Sequence, residues 1–335
     1  MKLAKKIVAL TLAALMTATL CAGLASCKKD GTSAKKYNVG IVQLVTHDAL
    51  DAATEGFKQA LIDELGAENV TFDVQNAGGE AAMCKTITDN FASTGVDLIM
   101  ANATPALQAA AKSTKTIPIL GTSVTEYGVA LEIENFNGTV GGNVSGTSDL
   151  APLSEQAKMI TELFPNATKV GLLYCAAEAN SVYQVNVIKA ELAAKNITCT
   201  EYKFTDTNDV SNIAAQAAAA NDVLYIPTDN TAASCANAIY NAMGDNKKPV
   251  IAGEAGICAG CGVATLSIDY YDLGYATGKM AAKILKGEAK ISEMPIEYAP
   301  QFTKQYNDQI CKALNIDTAA LVAAGYTMIE GTAAN

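Results

Sequence analysis

From position 37 onward, short runs of β-branched and apolar residues alternate with longer stretches whose apolar positions recur at helical spacing. Positions 38–45, 70–75, 96–101 and 117–121 read as strands. Positions 50–65 and 81–93 read as amphipathic helices, and a third helix starts after Pro105. A second series opens after Gly146-Thr147-Ser148-Asp149: helices over 150–164, 181–194, 210–220 and 232–243, and strands over 169–174, 198–204, 223–227 and 249–252. Positions 264–299 add a strand, a helix over 271–286 and an extended piece at 294–298 that crosses between the halves. Such alternation implies parallel strands with helices on both faces, an α/β fold of two doubly wound parallel-sheet lobes. No Pro-rich or Gly/Ser linker separates the halves, as expected when several hinge strands join them. The expected lobes are 37–146 plus about 271–297, and 147–270 plus about 298–335.

Ahead of this body, Lys2, Lys5 and Lys6 precede an apolar run over 7–20, the layout of a secretory signal and too short a run for a stable span. Leu24-Ala25-Ser26-Cys27 resembles the bacterial lipobox, which is cut before its cysteine and acylated on the sulfur. Residues 1–26 are therefore expected to be a lipoprotein signal peptide and Cys27 the lipidated residue. The polar segment 27–36 has almost nothing to bury and reads as a tether. The expected location is the outer face of a bacterial cytoplasmic membrane, held there by lipid alone.

Composition narrows the chemistry. The net charge is −10, and losing the three signal lysines takes it to −13, so nucleic acid is not an expected partner. All 24 basic residues are lysine and tryptophan is absent, so no bidentate arginine clamp is available to a carboxylate ligand. Hydroxyls, backbone N–H groups and helix N-termini must hold it instead. Of nine cysteines, Cys21 leaves with the signal and Cys27 is taken by lipid. The remaining seven are no disulfide framework. Cys258-Ala259-Gly260-Cys261 is the one close pair. It admits a redox dithiol or half a zinc site, but reads first as a local disulfide or two free thiols near a Gly-rich turn.

In doubly wound sheets ligands bind beyond the carboxyl ends of the strands. Those turns are polar here: 43–48, 102–105, 121–125, 178–181, 228–231 and 253–256. Taken singly, each reads first as an N-cap, because Ser, Thr, Asp and Asn cap helices. Six such turns facing one crevice can bind a small zwitterion, with Asp229, Glu254, Asp269 or Glu178 as acceptors for an ammonium. His47, the single histidine, has no nucleophile at elbow spacing, so it reads as a cleft or structural group and not as a catalytic base. Gly141-Gly142 lacks nucleotide-binding spacing.

Gly40-Ile41-Val42-Gln43 with His47, Leu50-Asp51 and Gly56-Phe57 resembles the start of the tryptophan/tyrosine-type ABC transporter substrate-binding lipoproteins. Further similar segments are Ala103-Thr104-Pro105-Ala106, Thr122-Ser123-Val124-Thr125, Gly146-Thr147-Ser148-Asp149, Glu178-Ala179-Asn180-Ser181 and Ile268-Asp269-Tyr270-Tyr271. The resemblance implies a type I periplasmic-binding-protein fold with three crossovers and no enzymatic activity or cofactor. It also implies hinge closure over an aromatic amino acid, delivery to an ABC permease and its ATPase, and a monomeric state. Carried over residue by residue, the cleft would contain Gln43, His47, Thr104, Thr122, Ser123, Ser148, Asn180, Ser181, Thr228, Asp229, Glu254 and Asp269. The chain departs from the family pattern at Asp48 and Tyr127, where prolines are usual. A sugar, nucleoside or other amino acid is the alternative ligand on the same fold, and a thiol-redox lipoprotein the alternative of another class.

Overall fold

The computed structural model describes residues 35–332, so the expected signal peptide, Cys27 and most of the tether lie outside the described residues. Within them the chain forms two sheets. The first has the order β11-β5-β4-β3-β1-β2. Its strands are β1 (Tyr37–Gln43), β2 (Val70–Asn76), β3 (Leu98–Asn102), β4 (Ile119–Val124), β5 (Val144–Ser148) and β11 (Glu297–Tyr298), all paired in parallel. The second has the order β13-β12-β10-β9-β8-β6-β7. Its strands are β6 (Lys169–Cys175), β7 (Thr198–Phe204), β8 (Val223–Ile226), β9 (Val250–Ala252), β10 (Ala264–Ser267), β12 (Thr303–Asn307) and β13 (Thr327–Ile329), with β12 antiparallel to β10.

The chain passes between the sheets three times, after β5, β10 and β11. Thr147 and Ser148, expected at the start of the second lobe, are the last residues of β5 in the first sheet, and Tyr298 likewise pairs with Ser148. The apolar run of the central strands is what two covered faces require: Leu98–Asn102 and Ile119–Val124 are buried at every position. Separate apolar clusters fill both faces of the first sheet, one around Phe91 and Leu107, the other around Phe57, Leu98 and Met280. A third core, around Leu173, Tyr225 and Ile251, belongs to the second.

Helix Tyr270–Lys286, although late in sequence, returns to the first lobe and lies along helix Asp48–Leu65. Glycines set their spacing. A Cβ on Gly274 would lie 1.9 Å from the Ala53 carbonyl oxygen, and one on Gly56 2.1 Å from that of Tyr271. The backbones therefore touch directly, which only glycine permits. Two expectations are revised. The span 232–243 is two helices, Asn230–Ser234 and Ala236–Ala242, interrupted at Cys235. The Cys258–Cys261 pair lies on a helix, Ala255–Cys261, and not beside a Gly-rich turn.

Candidate functional site

The carboxyl ends of the strands in the two sheets face each other across a seam. His47, after β1, lies 3.4 Å from Asn230, after β8. Helix Tyr127–Ala130 of the first lobe touches helix Ala179–Ala193 of the second, and helix Ala255–Cys261 touches helix Asp48–Leu65.

On the first lobe the strand ends are irregular. Pairing of β4 with β5 shifts between Gly121 and Val124, and Ser123 sits at φ 53, with Ala103 at φ 96. Side chains with a Cβ adopt that region at a cost, and bulges of this kind re-aim side chains beside binding sites. Gly146 allows the distortion: a Cβ there would be 2.1 Å from the Gly121 carbonyl oxygen. Tyr127 secures it, donating its hydroxyl to the Thr147 carbonyl at 3.0 Å.

Among the described residues, six buried side-chain oxygens have no hydrogen-bond partner in the protein: Asn102 Oδ1, Thr104 Oγ1, Ser123 Oγ, Asp149 Oδ1, Asn180 Oδ1 and Thr265 Oγ1. Unpartnered buried polar atoms are few in folded proteins and each costs about 1–3 kcal/mol. Five of these six lie at strand ends or just beyond them, on both lobes. Their chemistry is complementary to a zwitterion. Thr104 and Ser123 hydroxyls can donate to a carboxylate beside the N-terminus of helix Thr104–Ser113. Asp149 can accept from an ammonium. Asn180 can accept too, because its Nδ2 already donates to Thr228 O at 3.0 Å and to Glu178 Oε2 at 3.2 Å, which leaves the oxygen as the side chain's free group.

Other expected residues are committed within their own lobes. Gln43 bonds Asp51, Thr54 and Val45. Thr122 joins Thr147 and Thr277 in a ring of three hydroxyls. Ser148 donates to Thr125 O and receives Leu150 N. Ser181 accepts from Asn180, and Thr228 donates to Gly253 O. Asp229 takes Cys175 N at 2.6 Å and Ala232 N at 2.8 Å, so both its oxygens are used. Glu178 receives the N–H and side chains of Asn230 and Thr231. Glu254 caps Gly256 and Ile257, and Asp269 is exposed and caps Asp272.

Asp149, absent from the expected set, supplies the one carboxylate oxygen among those six, with the Thr125 side chain nearby. Its other oxygen receives the Tyr270 hydroxyl at 3.0 Å. Burial pushes its carboxyl up to about 6, with the nearby Glu254 charge adding to the effect. Burial likewise raises Glu254, and the charge of His47 draws it back. Asp229 is raised by burial and then by Glu178. Asp149 closes the polar segment Gly146-Thr147-Ser148-Asp149, and its place directly after β5 is the signal that a strand reading of 144–148 would have given.

Surface hollows flank the seam. One of about 610 Å³ is lined by His47, Asp51, Ser234 and Asn237, and one of about 360 Å³ by Asp48, Gly256 and Tyr271. None of the residues bearing the unpartnered oxygens lines either. The seven described cysteines are free, and burial pushes the Cys258 and Cys261 thiols up. No metal-holding cluster occurs among the described residues.

Two lobes meeting over a polar seam at their strand ends, with three crossings, define a two-lobed solute-binding protein. The chain belongs to the ABC transporter substrate binding protein family, whose model matches residues 38–326. A tyrosine-binding protein of Clostridioides difficile (strain R20291) is 33% identical over 327 residues, 93% of each chain. The ABC domain from Streptococcus pneumoniae in complex with L-Trp is 30% identical, covers 88% of this chain and 100% of its own, and superposes with a TM-score of 0.82. A Clostridium difficile substrate-binding protein with adhesive properties, in its ligand-free, open form, is 35% identical over 88% of this chain and 100% of its own, with a TM-score of 0.67. The present arrangement thus matches the ligand complex better than an open relative that is nearer in sequence. A glucose-galactose binding protein from Geobacillus stearothermophilus, 15% identical over 81% of this chain and 97% of its own, shares the fold (TM-score 0.58).

Proposed function

We propose that this protein is the exported, lipid-anchored capture component of an ABC importer, closing over an aromatic amino acid and presenting it to a permease driven by its ATPase. The carrying observation is the set of unpartnered buried oxygens drawn from both lobes. The ligand carboxylate meets Thr104 and Ser123 with the helix N-terminus behind them. The α-ammonium is held by Asp149 from the first crossing and by Asn180 from the second lobe. A ligand bridging both sides is what a closing equilibrium requires, since it must bind the closed form better than the open one. An aromatic side chain is supported by the L-Trp and tyrosine ligands of the two similar proteins.

The protein binds and releases; it performs no reaction in this reading, and it works as a monomer. A thiol-redox role lacks the thiolate such chemistry needs, because Cys258 and Cys261 are fully buried with raised pKa values.

The test is a thermal-shift and calorimetry panel on the unlipidated chain from residue 28 onward. Tyrosine, tryptophan and phenylalanine should raise Tm by mass action, while sugars and nucleosides leave it unchanged. A rise with a sugar or nucleoside alone would overturn the amino-acid reading and keep the fold.

A further inference from the structure

The chain's one histidine stands at the seam between the lobes. His47 is the residue before helix Asp48–Leu65, with an extended backbone (φ −164, ψ 162), and its side chain makes no capping bond. The ring is therefore available to the other lobe, and its Nε2 lies 3.4 Å from Asn230 Oδ1. That amide has no freedom to turn. Asn230 Nδ2 donates to Glu178 Oε2 at 2.6 Å, and the Asn230 backbone N–H reaches the same oxygen at 3.1 Å. The other Glu178 oxygen takes Thr231 N at 2.9 Å and Thr231 Oγ1 at 2.7 Å. A carboxylate only accepts, so the amide nitrogen must face Glu178 and the amide oxygen must face His47. The imidazole is thereby required to carry a proton on Nε2.

We propose that His47, Asn230 and Glu178 form a latch between the lobes, with Glu178 the positioning residue, and that donation from His47 Nε2–H to Asn230 slows ligand release. The latch rests on the closing equilibrium proposed above. The groups facing the ring are acidic or neutral. Asp48 and Asp51 come from its own helix, Glu254 from the N-cap of helix Ala255–Cys261, the Cys235 thiol from the break between two short helices, and Glu178 stands behind Asn230. No lysine lines this hollow. Opening takes the ring away from Asn230, so what this bond contributes favours the closed form.

A single histidine makes the test direct, because imidazole ¹⁵N NMR of the chain from residue 28 onward has one ring to report. With L-tyrosine or L-tryptophan as the probe, the bound protein should show the Nε2–H tautomer at pH 8. Stopped-flow release of the same amino acid should speed about threefold to tenfold in His47→Ala, the loss of one interlobe hydrogen bond. His47→Gln, which keeps a donor, should release within about twofold of the parent rate. An Nδ1–H tautomer in the bound protein, or release from His47→Ala at the parent's rate, would overturn the latch alone. Absence of any spectral response to either amino acid would overturn the ligand reading and the latch together.

Discussion

At Asp149 burial and function pull in opposite directions. An aspartate that titrates near 3.9 in an unfolded chain and at about 6 in the folded, ligand-free protein binds its proton more tightly when folded. Its stabilising contribution is thus complete below pH 4 and is lost as pH rises through 6, at most about 3 kcal/mol. Asp149→Asn, which cannot ionise, should leave the ligand-free protein more stable than the parent at pH 8 and about equal at pH 4, by urea unfolding. It should also weaken amino-acid binding at pH 7.5 by about a hundredfold or more, the loss expected for one buried charge-assisted contact. Asp229→Ala should do the reverse, because Asp229 holds Cys175 N and Ala232 N within the second lobe. Tm should fall by several degrees, while calorimetry on the folded fraction shows affinity within a fewfold of the parent. Loss of binding by Asp229→Ala with Tm unchanged would return that residue to the site.

At the scale of elements, the long helices and central strands were legible because their signals are local. Helical spacing over 50–65 and 81–93, and apolar runs within 96–101 and 223–227, depend on nothing distant. β5 was missed because Val144–Ser148 offers one apolar residue, one glycine and three hydroxylated ones, and owes its strand conformation to β4 and β11 on either side. Helix Ala255–Cys261 was missed because its two glycines read as a turn. Gly260 is there because a Cβ would lie 2.5 Å from that of Ala236. The polar strand ends were all visible, but not which oxygens remain open. Asp229, Glu178 and Asp149 look alike in sequence, and only the backbone donors arranged by the second lobe consume the first two. The same dependence on packing predicts a contrast between glycines. Gly274→Ala places a methyl against the Ala53 backbone and should cost about 3 kcal/mol or more. Gly287→Ala, at an open helix end with φ +75, should cost about 1 kcal/mol. Equal losses in urea denaturation would mean that the two helices separate more easily than their backbone contact implies.

For the molecule as a whole, the carboxylate at the first crossing links affinity to pH. Asp149 must be ionised to hold an ammonium, so affinity falls by up to about tenfold per pH unit below 6. Calorimetric titration with L-tyrosine from pH 5 to 7.5 should therefore show affinity rising to a plateau above 6, and Asp149→Asn should lose that rise. Contact can also be separated from closure. Small-angle scattering should show the radius of gyration falling on ligand addition in the parent at pH 6.5, and no fall for Asp149→Asn at the same ligand concentration. A fall in Asp149→Asn equal to the parent's would mean that the ligand draws the lobes together through Thr104, Ser123 and Asn180 without an ammonium contact at the crossing, and the carboxylate would then be a structural acid.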